Sequence, residues 1–440
     1  MSRKVTVLGA GLVGSLLSIF LAKRGYKVEA FEGRPDLRKS DISAGRSINL
    51  ALSHRGIKAL NALGLNEEVK ERCIPMPGRM IHDLEGSLDF HPYGKEGQFI
   101  NSVSRGGLNE LLLDEAEKAG VTIHFNHKCN DVNYRTTEAH FHSPEGEKAV
   151  SSDFIFGADG AFSALRNSFM RGERFNYEQH YITAGYKELH IPPTENGEFA
   201  IDPNALHIWP RGKFMLIALP NLDKSFTVTL FLPFEGETSF ESLPNDEAVL
   251  AFFNKEFADA VPLMPELLHD FNNNPTSGLV TVRCYPWTRG NCTLIGDAAH
   301  AIVPFYGQGM NAGFEDCHVL DQLLGEHGEL STELLKKYQE LRKPDAEAIA
   351  DLALYNFIEM RDKVADPKFI LQKKIEKRLN ELFPEQWLPL YPMVTFSDLR
   401  YSEALEIGRK QQQIMNKVME YPGIEVAWEN LDFESIVNQL

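Results

Sequence analysis

The sequence predicts an α/β fold: a Rossmann-type dinucleotide-binding domain, interrupted by an inserted antiparallel β-sheet domain and followed by a C-terminal helical region. Three observations carry that reading. The chain opens as strand, glycine turn, helix and strand, with Gly9-Ala10-Gly11-Leu12-Val13-Gly14 at the turn. Two apolar runs far downstream, Phe154-Ile155-Phe156-Gly157 and Cys292-Thr293-Leu294-Ile295, read as buried parallel strands that rejoin the first sheet. Between about Tyr181 and Val282 the texture is alternating and β-rich, and from Ala312 onward it is helical.

In the opening unit, Lys4-Val5-Thr6-Val7-Leu8 is strand-like, and Leu16, Leu17, Phe20 and Leu21 recur at helical spacing. Lys27-Val28-Glu29-Ala30-Phe31-Glu32 forms the second strand. Glycines let the backbone approach a pyrophosphate held at a helix N-terminus, and Glu32 stands where an acid accepts hydrogen bonds from a ribose. The motif alone does not choose between FAD and NAD.

Further along, Gly106 to Ala116 reads as an amphipathic helix, and the segments near Val121, Val132 and His140 as strands of a meander. Leu206-His207-Ile208-Trp209, Phe214 to Leu219 and Phe226 to Leu232 are the strands of the inserted sheet, separated by Pro, Gly and Asp turns. Helices are expected over Leu330–Lys363, Lys368–Phe383 and Tyr401–Met419. The expected division is a discontinuous cofactor domain (1–75, 98–180, 278–330), a substrate domain (76–97, 181–277) and a helical region (331–440).

Composition narrows the function classes. With 440 residues, 43% of them hydrophobic, the chain can bury a core large enough for two or three domains. A net charge of −17 argues against nonspecific nucleic-acid binding. The five cysteines are odd in number and scattered without a C-x-x-C pair, so neither a disulfide framework nor a metal site is expected, and a reducing cytoplasm fits. The immediate start of the first strand leaves no room for a signal peptide, and no apolar stretch is long enough to span a bilayer. Lys373 to Arg378 is a local positive cluster, read as a solvated helix face. His124, His127, His140 and His142 read as polar residues of edge strands, and His300 as structural.

Taken together, Gly9–Gly14 with Glu32, Gly157-Ala158-Asp159-Gly160 and Gly296-Asp297 resemble the three fingerprints of the single-component flavoprotein hydroxylases, whose fold is p-hydroxybenzoate-hydroxylase-like. Between them, Arg46 to Gly56, Pro304-Phe305-Tyr306-Gly307-Gln308-Gly309-Met310-Asn311 and Leu390 to Ser397 look like the kynurenine 3-monooxygenase family, over essentially the whole chain. The resemblance implies FAD held by Gly9, Gly11, Leu12, Gly14, Glu32, Arg34, Ala51, Arg105, Asp159, Asp297, Gly309, Met310 and Asn311. It implies Arg79 and Tyr93 as ligands of an amino-acid carboxylate, with Asn356 and Tyr391 completing the polar end, and Glu359 and Met360 as further members of that helix. Leu206, Met215, Ile217, Phe231 and Phe305 match the apolar wall for an aromatic ring, although alternating strands of plain sheet core would read the same way. Tyr306 stands where some relatives carry His.

The implied reaction is hydroxylation of L-kynurenine to 3-hydroxykynurenine by NADPH and O₂ through a C4a-hydroperoxyflavin, a step of tryptophan catabolism towards quinolinate and NAD. No catalytic acid–base triad is required, and NADPH binds transiently without a second Rossmann domain. The hydrophobic tail of eukaryotic relatives is missing, which implies a soluble, cytoplasmic form without membrane anchor; a homodimer is compatible with it. Competing readings are a hydroxylase of another aromatic acid and a flavin-bearing sensor without turnover. A halogenase of this fold would carry a W-x-W-x-I-P-like stretch, and the sequence has none.

Overall fold

The computed structural model describes residues 3–39, 49–362 and 366–440, the side chains of 360–362 excepted. Arg46, Ser47 and Ile48 of the second signature block and the Met360 side chain therefore lie outside the described residues. The first sheet has six strands in the order Thr288–Arg289, Cys292–Leu294, Phe154–Gly157, Lys4–Leu8, Lys27–Phe31 and Thr122–His124. All pairings are parallel except that of the Thr288–Arg289 edge. Val5 faces Phe154 on one side and Val28 on the other. Such a strand is apolar throughout because helices and a second layer cover both faces. The helices Leu12–Lys23, Arg105–Lys118 and Gly309–His327 supply Leu16, Leu112 and Leu320 to this core. The three-stranded sheet over Lys128–Ser151 enters it through Phe141, which stacks on Phe31 at 4.2 Å and 21°.

The inserted sheet has seven strands: Ser277–Tyr285, Asn176–Ile191, Phe226–Pro233, Phe214–Pro220, Ala205–Arg211, Gly78–His82 and Leu88–Pro92. It is mixed rather than purely antiparallel, since Gly78–His82 pairs with Ala205–Arg211 in parallel. Its two longest members start at Asn176 and end at Tyr285, so the sheet overruns the expected limits of 181 and 277. A ladder from Asn176↔Tyr285 to Tyr181↔Val280, resuming after a register shift at Gly185↔Gly278, ties them together across the expected border. Period-two alternation sorts the side chains: Leu216 and Ala218 join Trp209, Phe226 and Phe253 under the helices Asp246–Glu256 and Leu267–Asn273. Met215 and Ile217 turn to the opposite face.

The C-terminal helices run over Thr332–Asp362, Pro367–Leu382, Leu390–Phe396 and Tyr401–Met419. Ile349, Leu352 and Ala353 of the first pack with Val303, Phe305, Met393 and Tyr401, bringing this region against the open face of the inserted sheet. Among the described residues no helix is long and apolar enough to cross a membrane.

Candidate active site

One cavity of about 760 Å³ extends from the first glycine turn to the seven-stranded sheet. That volume is in the range of a site for a large organic ligand. Gly9 adopts φ +90°, and a Cβ there would lie 2.6 Å from the Ala158 carbonyl oxygen, so the turn after the first strand sits directly on the turn after its neighbour. Gly11 caps the helix Leu12–Lys23 without a side-chain hydrogen bond, no acid occupies the first turn, and Gly11 has open space where a Cβ would be. The free N–H groups of this turn make a positive end suited to phosphate.

Glu32 accepts hydrogen bonds from the Ala10 and Arg34 backbone N–H groups, both at 3.0 Å, and from Arg34 Nε at 2.8 Å. Burial works against its carboxylate, but Arg34 outweighs it and holds the pKa below the ordinary value. Arg105 also lines the cavity and has no ion-pair partner among the described residues. Asp159 lines it too: one carboxylate oxygen accepts from the Ala164 N–H at 2.7 Å, while Oδ1 is buried without a partner.

Asp297 begins the short helix Asp297–His300, after Gly296 at φ +60°. It lines the cavity; enclosure by the protein pushes its carboxyl pKa up, with His300 and Arg105 pulling the other way. Behind this turn Asp316 is fully buried and accepts from Gly296 N–H at 3.2 Å, His300 Nε2 at 2.5 Å and Arg342 Nε at 2.7 Å. Gly309 and Met310 open the helix Gly309–His327 and present a second helix N-terminus to the cavity. Gln308, just before it, accepts from the Tyr401 hydroxyl at 2.8 Å and donates to Ser53 Oγ at 3.3 Å.

The far end is aromatic and cationic. Arg79 Cζ lies 5.1 Å from the Tyr93 ring centroid and 4.8 Å from that of Tyr391. These two rings stack at 5.2 Å and 14°, and Tyr391 stacks in turn on Tyr306 at 5.5 Å and 19°. Arg79 Nε and Tyr93 Oη are buried, and neither has a well-aligned hydrogen-bond partner among the described residues, although the guanidinium lies close enough to the phenols of Tyr93 and Tyr391 to interact with them. Burial pushes the Tyr93 phenol above its ordinary pKa, so it stays protonated and keeps a donor. Two such donors beside each other suit a carboxylate. Leu206, Met215, Ile217, Phe231 and Phe305 line the adjoining wall.

Four expected site residues have their contacts elsewhere. Gly14 is not on the lining: a Cβ there would collide with the Gly9 carbonyl oxygen, so it serves helix-to-turn packing. Asn311, fully buried, is a clamp rather than a lining residue. Its Oδ1 accepts from Ser53 N–H at 2.9 Å, and its Nδ2 donates to Ala51 O at 2.8 Å and Gly307 O at 2.9 Å. Asn356 lies behind the lining and donates to Phe305 O at 2.6 Å. Glu359 faces Lys373 at 3.9 Å, and Lys373 also pairs with Glu376 at 3.0 Å, so the positive cluster turns one member toward the long helix. For Asn311→Ala, the stranded Ser53, Ala51 and Gly307 groups imply a loss of about 2 kcal/mol, measured by denaturant unfolding of FAD-free protein.

Sequence reasoning did not single out Thr227 and Thr229, which line the cavity. They share parity with Phe231 on one strand, and that alternation was the available signal. Tyr306 was noted only as a departure, yet it bridges the turn before Gly309 to the stacked tyrosines.

A cavity that starts at a dinucleotide turn and ends in an arginine and tyrosine pocket on an inserted sheet defines a flavoprotein monooxygenase. A family model described as "FAD binding domain" matches residues 2–353. The kynurenine 3-monooxygenase of Christiangramia forsetii is 51% identical, covering 100% of this chain and 98% of its own. That of Sus scrofa is 46% identical over 96% of this chain and 90% of its own. This chain belongs to the kynurenine 3-monooxygenase family. Among solved structures, 2-methyl-3-hydroxypyridine-5-carboxylic acid oxygenase matches with TM-score 0.68 at 21% identity, covering 83% of this chain and 94% of its own. Tetracycline destructase Tet(51) matches with TM-score 0.63 at 18% identity, over 91% and 100%. At these identities the likeness is one of fold.

Proposed function

We propose that the chain hydroxylates L-kynurenine to 3-hydroxykynurenine with NADPH, O₂ and bound FAD. The observation that carries this is the pair of buried donors, Arg79 Nε and Tyr93 Oη, neither with a well-aligned acceptor among the described residues, at the end of an apolar cavity continuous with the dinucleotide turn. The residues present fit FAD: a bare helix N-terminus and Arg105, which has no ion-pair partner among the described residues, for the pyrophosphate, Glu32 for the ribose, Asp297 and the Gly309–Met310 helix start for the remainder. When bound, FAD supplies hydride acceptance from NADPH and oxygen transfer to the substrate ring.

The protein's own part is positional. Arg79 and Tyr93 bind the substrate carboxylate, with the Tyr391 ring supporting both, and Asn356 holds the Phe305 carbonyl so that the ring wall keeps its shape. Leu206, Met215, Ile217, Phe231 and Phe305 hold the aromatic ring and exclude water from the reacting face. The five free thiols fit a reducing cytoplasm as the site of action.

Purified protein loaded with FAD should oxidise NADPH faster when L-kynurenine is added and release a product heavier by one oxygen atom. Unchanged NADPH consumption with only peroxide formed would sink the substrate assignment while leaving FAD binding intact. A larger response to another aromatic acid would select that competitor.

A further inference from the structure

The strand Gly78–His82 carries Arg79, and its backbone ladders, five pairs with Leu88–Pro92 and four with Ala205–Arg211, leave the choice of register to its side chains. It lies sixth of seven strands, and its outer neighbour Leu88–Pro92 is exposed at every position. Inward it pairs with Ala205–Arg211 over a short ladder, Ala205↔Gly78 to Ile208↔Ile81. Met80 and Ile81 are adjacent, both apolar and both half-buried, so hydrophobic alternation does not separate one register from the next. A slip by one residue would carry Arg79 from the cavity to the helix-covered face.

His82 makes the directional contacts that the apolar residues lack. It is 3% exposed and stacks on Trp209 at 3.9 Å and 26°, away from the cavity. Its Nδ1 lies 2.8 Å from Asp259 Oδ2, which also accepts from Trp209 Nε1 at 2.8 Å. Its Nε2 lies 2.8 Å from His207 Nδ1, and His207 Nε2 donates to the Asp202 carbonyl at 2.7 Å. Burial lowers the His207 pKa to about 4, so that ring is neutral; with Nε2 donating, its Nδ1 accepts from His82 Nε2. Donating from Nδ1 to Asp259 as well requires His82 to be an imidazolium; burial lowers its pKa, and the Asp259 carboxylate pulls the other way. Arg211 adds bonds to the carbonyls of His82 at 3.0 Å and Asp83 at 3.1 Å. None of His82, His207 and Asp259 lines the cavity.

We propose that Asp259, His82 and His207 form a register lock that holds the Gly78–His82 strand in the alignment directing Arg79 into the cavity. They are positioning residues for carboxylate recognition, and the inference rests on Arg79 being the carboxylate ligand.

The test uses FAD-loaded enzyme and two substitutions at one site. Asp259→Leu removes the acceptor for both His82 and Trp209, whereas Asp259→Asn keeps an oxygen in place. Asp259→Leu is expected to raise KM for L-kynurenine about tenfold, with kcat at saturation and FAD affinity near the parent, and Asp259→Asn to restore most of the loss. His82→Phe, which keeps the stack on Trp209 and loses the bonds, serves if the leucine variant does not fold. In an Arg79→Met background Asp259→Leu should add no further KM rise, since the lock then positions nothing. Additive effects, or kcat and FAD affinity falling as KM rises, would overturn the lock. If Arg79→Met raises KM and Asp259→Leu and His82→Phe do not, the lock fails and the site reading stands. If Arg79→Met leaves KM unchanged, the site reading fails first and the lock with it.

Discussion

Arg79→Met is expected to raise KM for L-kynurenine by about a hundredfold and to leave the protein yellow. The size follows from the environment: truncating one side of a buried charge pair removes about 2–5 kcal/mol, because the substrate carboxylate then enters an apolar site with only phenol donors. Methionine preserves the aliphatic bulk against Tyr93 and Tyr391. FAD content is unaffected, since the glycine turn, Glu32, Arg105 and Asp297 come from other strands and helices. Steady-state kinetics beside the flavin absorbance measure both quantities at once. An unchanged KM would remove the carboxylate assignment.

Gly14→Ala should yield protein without flavin. The added methyl would meet the Gly9 carbonyl oxygen well inside van der Waals contact and also approach Ala158 Cβ at 3.3 Å. Both obstacles belong to the backbone framework of the first two turns, so neither can rotate away. The helix must move off the sheet, which takes its N-terminal N–H groups away from the pyrophosphate. We expect FAD affinity to fall by at least about a hundredfold, corresponding to about 3 kcal/mol of displaced phosphate contacts, together with a lower unfolding midpoint. Normal flavin content in Gly14→Ala would mean that the close approach tolerates a methyl group.

The two substitutions also mark what was legible in the sequence. Gly9 and Gly14 are readable because part of the constraint is local: Gly9 takes a positive φ in the turn, and the helix at Gly14 touches the Gly9 carbonyl. The inserted sheet is readable for a similar reason, since alternation sends Met215 and Ile217 one way and Leu216 and Ala218 the other. The ladder of Asn176–Ile191 with Ser277–Tyr285 crosses the expected domain limits, and as a long-range pairing it leaves no local signal in the sequence. Asn311 sits in a cofactor motif, yet its direction is set by Ser53 and Ala51, which come from a distant segment. Asn356 and Glu359 lie on a helix packed on several sides, where local pattern does not say which flank meets the cavity. The triad of Asp259, His82 and His207 has no spacing to betray it, because three separate segments supply it.

The stacked tyrosines have a consequence for biogenesis. Tyr93 is synthesised early, Tyr306 much later and Tyr391 in the last stretch of the chain. A nascent polypeptide that has emerged only as far as the long helix ending at Asp362 already possesses the phosphate-binding turn and the guanidinium, but not the ring that joins them. On the proposed reading, vectorial synthesis completes the prosthetic group's seat before the carboxylate end, whose last ring arrives with the C-terminal helices.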